Sequence, residues 1–145
     1  MTTPNQLAKA IQIASKAHEN QVDKANKPYI LHPLRLMMKF ENIDEQIVAV
    51  LHDVIEDSDT TLSDMRNAGF SEEIVSAIDA LTKKPGMEYQ SYLENISKRS
   101  LARNVKIEDI KDNLNLTRLK DINDKDLERA KKYHNALNFL ESTKF

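Results

Sequence analysis

Residues 47–59 read IVAVLHDVIEDSD, an apolar run that passes directly into one histidine and four acids. The apolar half reads as a core helix, and the periodicity extends that helix from Asp44 to about Asp57. Acids this dense near the C-terminal end of a helix repel one another and oppose the helix dipole. Two readings meet these facts: a frayed, solvated helix end, or a site where a cation compensates the carboxylates. The solvated end explains the acids but not a histidine set in an apolar stretch.

Outward from this segment the pattern stays helical. Thr3-Pro4 starts a helix that places Leu7, Ile11, Ala14 and His18 on one face. Residues 19–32 have little periodicity and end in PYILHP, the mark of an ordered loop, and a helix follows from Leu34 to Phe40. Thr61 and Asp64 form a capping box for a short helix closed by Gly69. Ser71 caps the next helix, with Ile74, Val75, Ile78 and Leu81 as its stripe, and Pro85-Gly86 is a turn. Tyr89, Tyr92, Leu93 and Ile96 mark another helix; Leu101, Val105, Ile110 and Leu114 mark one more. The last begins near Asp124 and turns Leu127, Ala130, Tyr133, Leu137 and Leu140 inward. No strand, repeat or linker interrupts the pattern, which predicts one all-α domain over residues 1–145.

Composition narrows the function. With 40% hydrophobic and 30% charged residues and a formal net charge of -2, the chain has no basic surface for nucleic acid. It has no cysteine, which excludes disulfides, thiolate metal sites and a cysteine nucleophile. Only Gly69 and Gly86 are glycines, so no glycine-rich phosphate cradle exists, and any phosphate must be held by side chains or a metal. The N-terminus lacks the layout of a signal peptide and no apolar run reaches membrane-spanning length, so the expected location is the cytoplasm. Oligomeric state leaves no signal in the sequence.

The chemistry candidates start with His52-Asp53, adjacent residues that share a small object only if it lies between their directions. A metal ion fits, because imidazole and carboxylate are ordinary ligands for zinc, manganese and iron. Glu56 and Asp57 follow each of them by four residues and extend the polar patch over one turn. His32 sits before Pro33 at a loop–helix junction, where a capping or core role is the alternative. In VKIEDIKDN (105–113), Asp109 and Asn113 are spaced i, i+4, with Lys106 on nearly the same face. That pattern also suits a solvated helix face.

Together, His32, His52-Asp53 and Asp109 resemble the H…HD…D metal signature of the HD-domain phosphohydrolases. Finer features resemble one branch, the RelA/SpoT-type (p)ppGpp hydrolase domains and their small stand-alone relatives. QVDKANKPYILHP (21–33) is similar to that branch's QxRKxxGxPYIxHP; LHDVIEDSDTT (51–61) to LLHDxxEDT; VKIEDIKDN to VKLADxxxN. ALTKKPGMEYQSYLENI (80–96) has the look of the segment between the last two. The resemblance covers about residues 7–140 and implies a single HD-domain helical fold. It implies that His32, His52, Asp53 and Asp109 hold one divalent metal, manganese in this branch. Glu56 and Asp57 match the acidic pair that positions or deprotonates the attacking water. Lys24 and Asn113 match substrate-contacting positions. Arg129 and Tyr133 resemble an Arg/Tyr pair that contacts substrate phosphates, with a core tyrosine and a surface ion pair as the alternative.

The function so implied is metal-dependent removal of the 3′-pyrophosphate of (p)ppGpp, a small-molecule nucleotide. Two departures bear on it. Asp23 stands where the branch has an arginine that stacks on guanine, and a carboxylate cannot stack in that way. Asn26 stands for the loop glycine and tolerates the same left-handed backbone. The alternatives are an HD phosphohydrolase for another nucleotide or a phosphomonoester, and a nucleotide sensor without turnover.

Overall fold

The computed structural model describes residues 2–143. Nine α-helices occur among them: α1 (Pro4–Ala17), α2 (Leu31–Met37), α3 (Ile43–Leu51), α4 (Val54–Asp57), α5 (Leu62–Asn67), α6 (Glu72–Leu81), α7 (Tyr89–Ser97), α8 (Ser100–Asn113) and α9 (Asp124–Ser142). A 3-10 turn at Leu116–Arg118 joins the last two. The described residues contain no strand, and one isolated bridge pairs Val22 with Pro28. The all-α expectation is met.

α3 is the axis of the fold, with α1, α2, α6 and α8 packed around it. Its residues Ile47, Val48, Ala49, Val50 and Leu51 are all buried, as a helix apolar on every side must be. Each large side chain buried there contributes about 1.5–3 kcal/mol. Asn42 starts α3 by accepting the Glu45 N–H at 3.0 Å. The capping box at Thr61 and Asp64 and the Ser71 cap form as the sequence predicts. Gly69 closes α5 at a φ of 94°, a left-handed value that glycine adopts freely.

Three expectations need correction. The predicted helix from Asp44 to Asp57 is two: α3 ends at Leu51, and Asp53, at φ -107° and ψ 0°, separates it from α4. The His52 side chain supplies the reason. Its Nδ1 donates to the Ala49 carbonyl at 2.6 Å, the acceptor that a continuing helix would offer to the Asp53 N–H. α2 runs from Leu31 to Met37 rather than from Leu34 to Phe40, because Pro33 is accommodated inside its first turn. Leu127 is 54% exposed and does not face the core; Ala136 and Leu140 anchor α9 instead.

Candidate metal centre and active site

The fold converges on a cluster at the meeting of α2, α3 and α8. His32 comes from α2, His52 caps the C-terminus of α3, and Asp109 comes from α8; all three are buried. One ligand atom from each lies within 4.8 Å of the others. His32 Nε2 is 2.9 Å from Asp109 Oδ1, and His52 Nε2 is 3.4 Å from the same oxygen. Asp53 adds its Oδ2 at 3.0 Å from His52 Nε2. Three of the four expected ligands thus share one buried space, and Asp53 adjoins them through His52.

Their outer contacts settle which atoms face inward. His52 spends Nδ1 on Ala49, so its Nε2 is the lone-pair nitrogen, buried and without a hydrogen-bond partner. His32 donates Nδ1 to Asp112 Oδ2 at 2.6 Å, which likewise leaves Nε2 toward the cluster. The Tyr29 hydroxyl donates to Asp53 Oδ2, and Asn113 Nδ2 donates to Asp109 Oδ1 at 3.2 Å. The inward nitrogens of both imidazoles thus face the Asp53 and Asp109 carboxylates in a small space, an arrangement that favours positive charge between them. Burial alone would push both imidazoles down, but Asp109 and Asp112 hold His32 above its usual value, and Asp53 and Asp109 hold His52 well above it. The donor set, N2O2 with each imidazole fixed by an outer acceptor, fits a divalent transition metal.

Lys106 balances the far side. Its Nζ is 2.9 Å from Asp109 Oδ2, with only 13% side-chain exposure. Burial opposes both charges, yet the pair and the neighbouring His52 hold Asp109 well below the usual carboxylate range.

Glu56 and Asp57 stand at the rim on α4, and Asp59 beyond them is exposed. Glu56 Oε1 accepts the Lys83 N–H at 2.6 Å; burial pushes its carboxyl up despite that bond. Asp57 Oδ2 accepts from Gln21 Nε2 at 3.1 Å. The break after α3 therefore parts the stretch into an inward pair, His52 and Asp53, and a rim pair.

A cleft of about 410 Å³ opens beside the cluster, and Tyr29 and Asn113, both bonded to cluster carboxylates, line it. Lys24, Arg129 and Tyr133 line it too, so every residue expected at the substrate is gathered there. Burial and the neighbouring Arg129 push the Lys24 ammonium down. Arg129 also pairs with Asp126 at 3.2 Å and Tyr133 packs against the core, as the alternative reading of that pair expects. Leu116 and Leu119 give the cleft an apolar wall.

No family model matches the chain. It is 32% identical over 102 residues to the guanosine-3′,5′-bis(diphosphate) 3′-pyrophosphohydrolase of Aquifex aeolicus, covering 67% of this chain and 14% of that protein. It is 31% identical over 104 residues to the enzyme of the same name from Vibrio cholerae, covering 66% and 15%. A solved structure of a metazoan ortholog of SpoT, described as hydrolysing ppGpp, superposes with a TM-score of 0.77 at 22% identity, covering 99% of this chain and 87% of the other. The chain belongs to the RelA/SpoT-type HD-domain family. It spans about one seventh of the length of those curated bacterial relatives (14% and 15%).

In this RelA/SpoT-type domain several contributors escape a reading of the sequence. Asp112 orients His32, and Arg35 grips Asp112 with two bonds of 2.9 Å. Their spacing, three residues after Asp109 and three after His32, is the helical signal that would have found them. Arg118, bonded to the Asp112 carbonyl at 3.0 Å, is a third cation lining the cleft. Asp23 lines the cleft as well, and its Oδ1 accepts the N–H groups of Ala25 and Lys27, both at 2.9 Å. An acid at that position shapes the loop, and Asn26 completes the turn at a φ of 61°.

Proposed function

We propose that the chain is a divalent-metal-dependent hydrolase that removes the 3′-pyrophosphate from (p)ppGpp. The observation that carries this reading is continuity. The buried His32, His52 and Asp109 cluster with Asp53 beside it, and a cleft lined by Lys24, Arg118 and Arg129, share Tyr29 and Asn113 as their common border. A substrate held there by its phosphates can present one of them to the cluster. Similarity to the bacterial 3′-pyrophosphohydrolases names the matching substrate.

His32, His52, Asp53 and Asp109 would hold the cation, manganese by the family resemblance. A divalent cation there supplies Lewis-acid charge, which makes water more acidic and draws electron density from a phosphoryl oxygen. The protein's part is positional and protic. Lys24 and Arg129 bind phosphate oxygens, and Asn113 keeps Asp109 oriented. Glu56, its carboxyl raised by burial, accepts the proton of the attacking water, while Asp57 orients that water. The water oxygen bonds to phosphorus, the bond from phosphorus to the ribose 3′ oxygen breaks, and that oxygen takes up a proton. The products are GDP or GTP and pyrophosphate. The charge on such a substrate, and the absence of any described helix able to cross a membrane, suit a cytoplasmic enzyme.

Asp23 favours a second reading, an HD phosphohydrolase for another nucleotide, since it brings a carboxylate to the wall where the family has a guanine-stacking arginine. One assay separates them. Purified protein with manganese is offered ppGpp, GTP, dNTPs and a generic phosphomonoester, alongside His52→Ala and Glu56→Ala. Pyrophosphate release from ppGpp, lost in both variants, is the expected outcome. Preferential turnover of another substrate would replace the first reading with the second, and nucleotide binding with no turnover would make the chain a sensor.

A further inference from the structure

His18, at the C-terminal cap of α1, is 1% exposed and takes no part in the proposed metal set. Its Nδ1 lies 2.8 Å from Gln21 Oε1, and Gln21 Nε2 lies 3.1 Å from Asp57 Oδ2. The direction of this chain of bonds is fixed from its acidic end. A carboxylate only accepts, so Gln21 must turn its NH2 group to Asp57 and its carbonyl to His18. Nδ1 of His18 therefore carries the proton and donates it. The other ring nitrogen agrees: Nε2 is buried without a partner, and a bare nitrogen is less costly to leave so than an N–H. Among the described residues Gln21 is the only side chain that donates a hydrogen bond to Asp57. The His18 ring also packs 4.9 Å from the ring of Tyr29, whose hydroxyl holds Asp53.

We propose that His18, acting through Gln21, is a positioning residue that aims the Asp57 carboxylate at the attacking water. The inference rests on the reading of Asp57 as a water-orienting group. Gln21 alone would not suffice. Its amide can rotate by half a turn and offer Asp57 a carbonyl, which repels it, and the N–H of His18 is what locks the productive orientation. His18 and Gln21 lie on α1 and the loop that follows, while Asp57 lies on α4, so the relay fixes the rim pair against a separate element.

Two measurements test this. The His18 tautomer is read on the resting protein from long-range nitrogen–proton NMR couplings, independent of which substrate is turned over; a proton on Nδ1 is expected, and a ring with its proton on Nε2 alone overturns the relay. The second measurement is steady-state hydrolysis of ppGpp with manganese. Gln21→Met, at a half-exposed position, and His18→Leu are expected to lower kcat roughly ten- to a hundred-fold with KM and manganese affinity unchanged. The double variant should be no worse than either single one. His18→Asn, which restores an N–H donor at the place of Nδ1, should recover most of the rate. Wild-type kcat in Gln21→Met, or His18→Asn no better than His18→Leu, would overturn the proposal. Wild-type turnover in Asp57→Asn would instead remove Asp57 from the reaction, and the purpose of the relay with it, whatever the tautomer.

Discussion

His52 carries more of this molecule than its size suggests. Its Nδ1 ends α3 by engaging Ala49, and its Nε2 faces two carboxylates without a hydrogen bond. Truncation removes an inward donor from the N2O2 set, so His52→Ala is expected to abolish manganese binding measured by titration calorimetry. Asp23 offers a different lesson. Its carboxylate holds the Ala25 and Lys27 N–H groups, so Asp23→Arg should lower stability by about 1–2 kcal/mol, while Asp23→Asn keeps an acceptor and loses less. Chemical denaturation checks both. A wild-type midpoint for Asp23→Arg would show that the loop does not depend on the acid. His52-Asp53 stands out in the sequence because it follows an apolar run, whereas His32 and Asp109 join it only through the family resemblance. The partners that orient them were not legible there: Asp112 and Arg35 look like ordinary surface charges until the fold places α2 against α8.

At the scale of elements, periodicity found most of the helices, since an apolar stripe repeats whatever lies opposite it. It missed the break between α3 and α4. The stripe continues across it through Val54, which is buried, while a side-chain contact from His52 decides where the helix stops. It also misjudged Leu127, because an apolar residue in the first turn of α9 can satisfy the pattern and still lie beyond the core. Where a cap is local, the sequence suffices. Asn42 receives the Glu45 N–H and sets the start of the helix that carries His52, so Asn42→Ala should cost about 1 kcal/mol by denaturant titration. A loss below about 0.3 kcal/mol would mean that packing of α3 alone fixes its start.

The whole molecule is tied together twice, once by its core and once by its cluster. Ile110 on α8 is fully buried, and Ile110→Ala should cost about 2–5 kcal/mol, measured by denaturant unfolding. The cluster joins α2, α3 and α8, and a cation that binds only the folded chain adds stability by mass action. Manganese at a hundred times its dissociation constant should contribute about 2.7 kcal/mol and raise the melting temperature, reversed by a chelator. His32→Ala should melt at the same temperature with and without the metal. An equal rise in that variant would place the stabilising ion elsewhere.

The grip of Arg35 on Asp112 reaches beyond orientation. Asp112 accepts from His32 on one side and from a guanidinium with 34% side-chain exposure on the other. That guanidinium withdraws electron density from the carboxylate, which then pulls less on the imidazole proton and leaves Nε2 a weaker base. Under the proposed metal-binding reading, this arginine at the protein's outer edge would act as a trim on how tightly the interior holds a cation, and Arg35→Gln should lower the manganese dissociation constant measured by titration calorimetry.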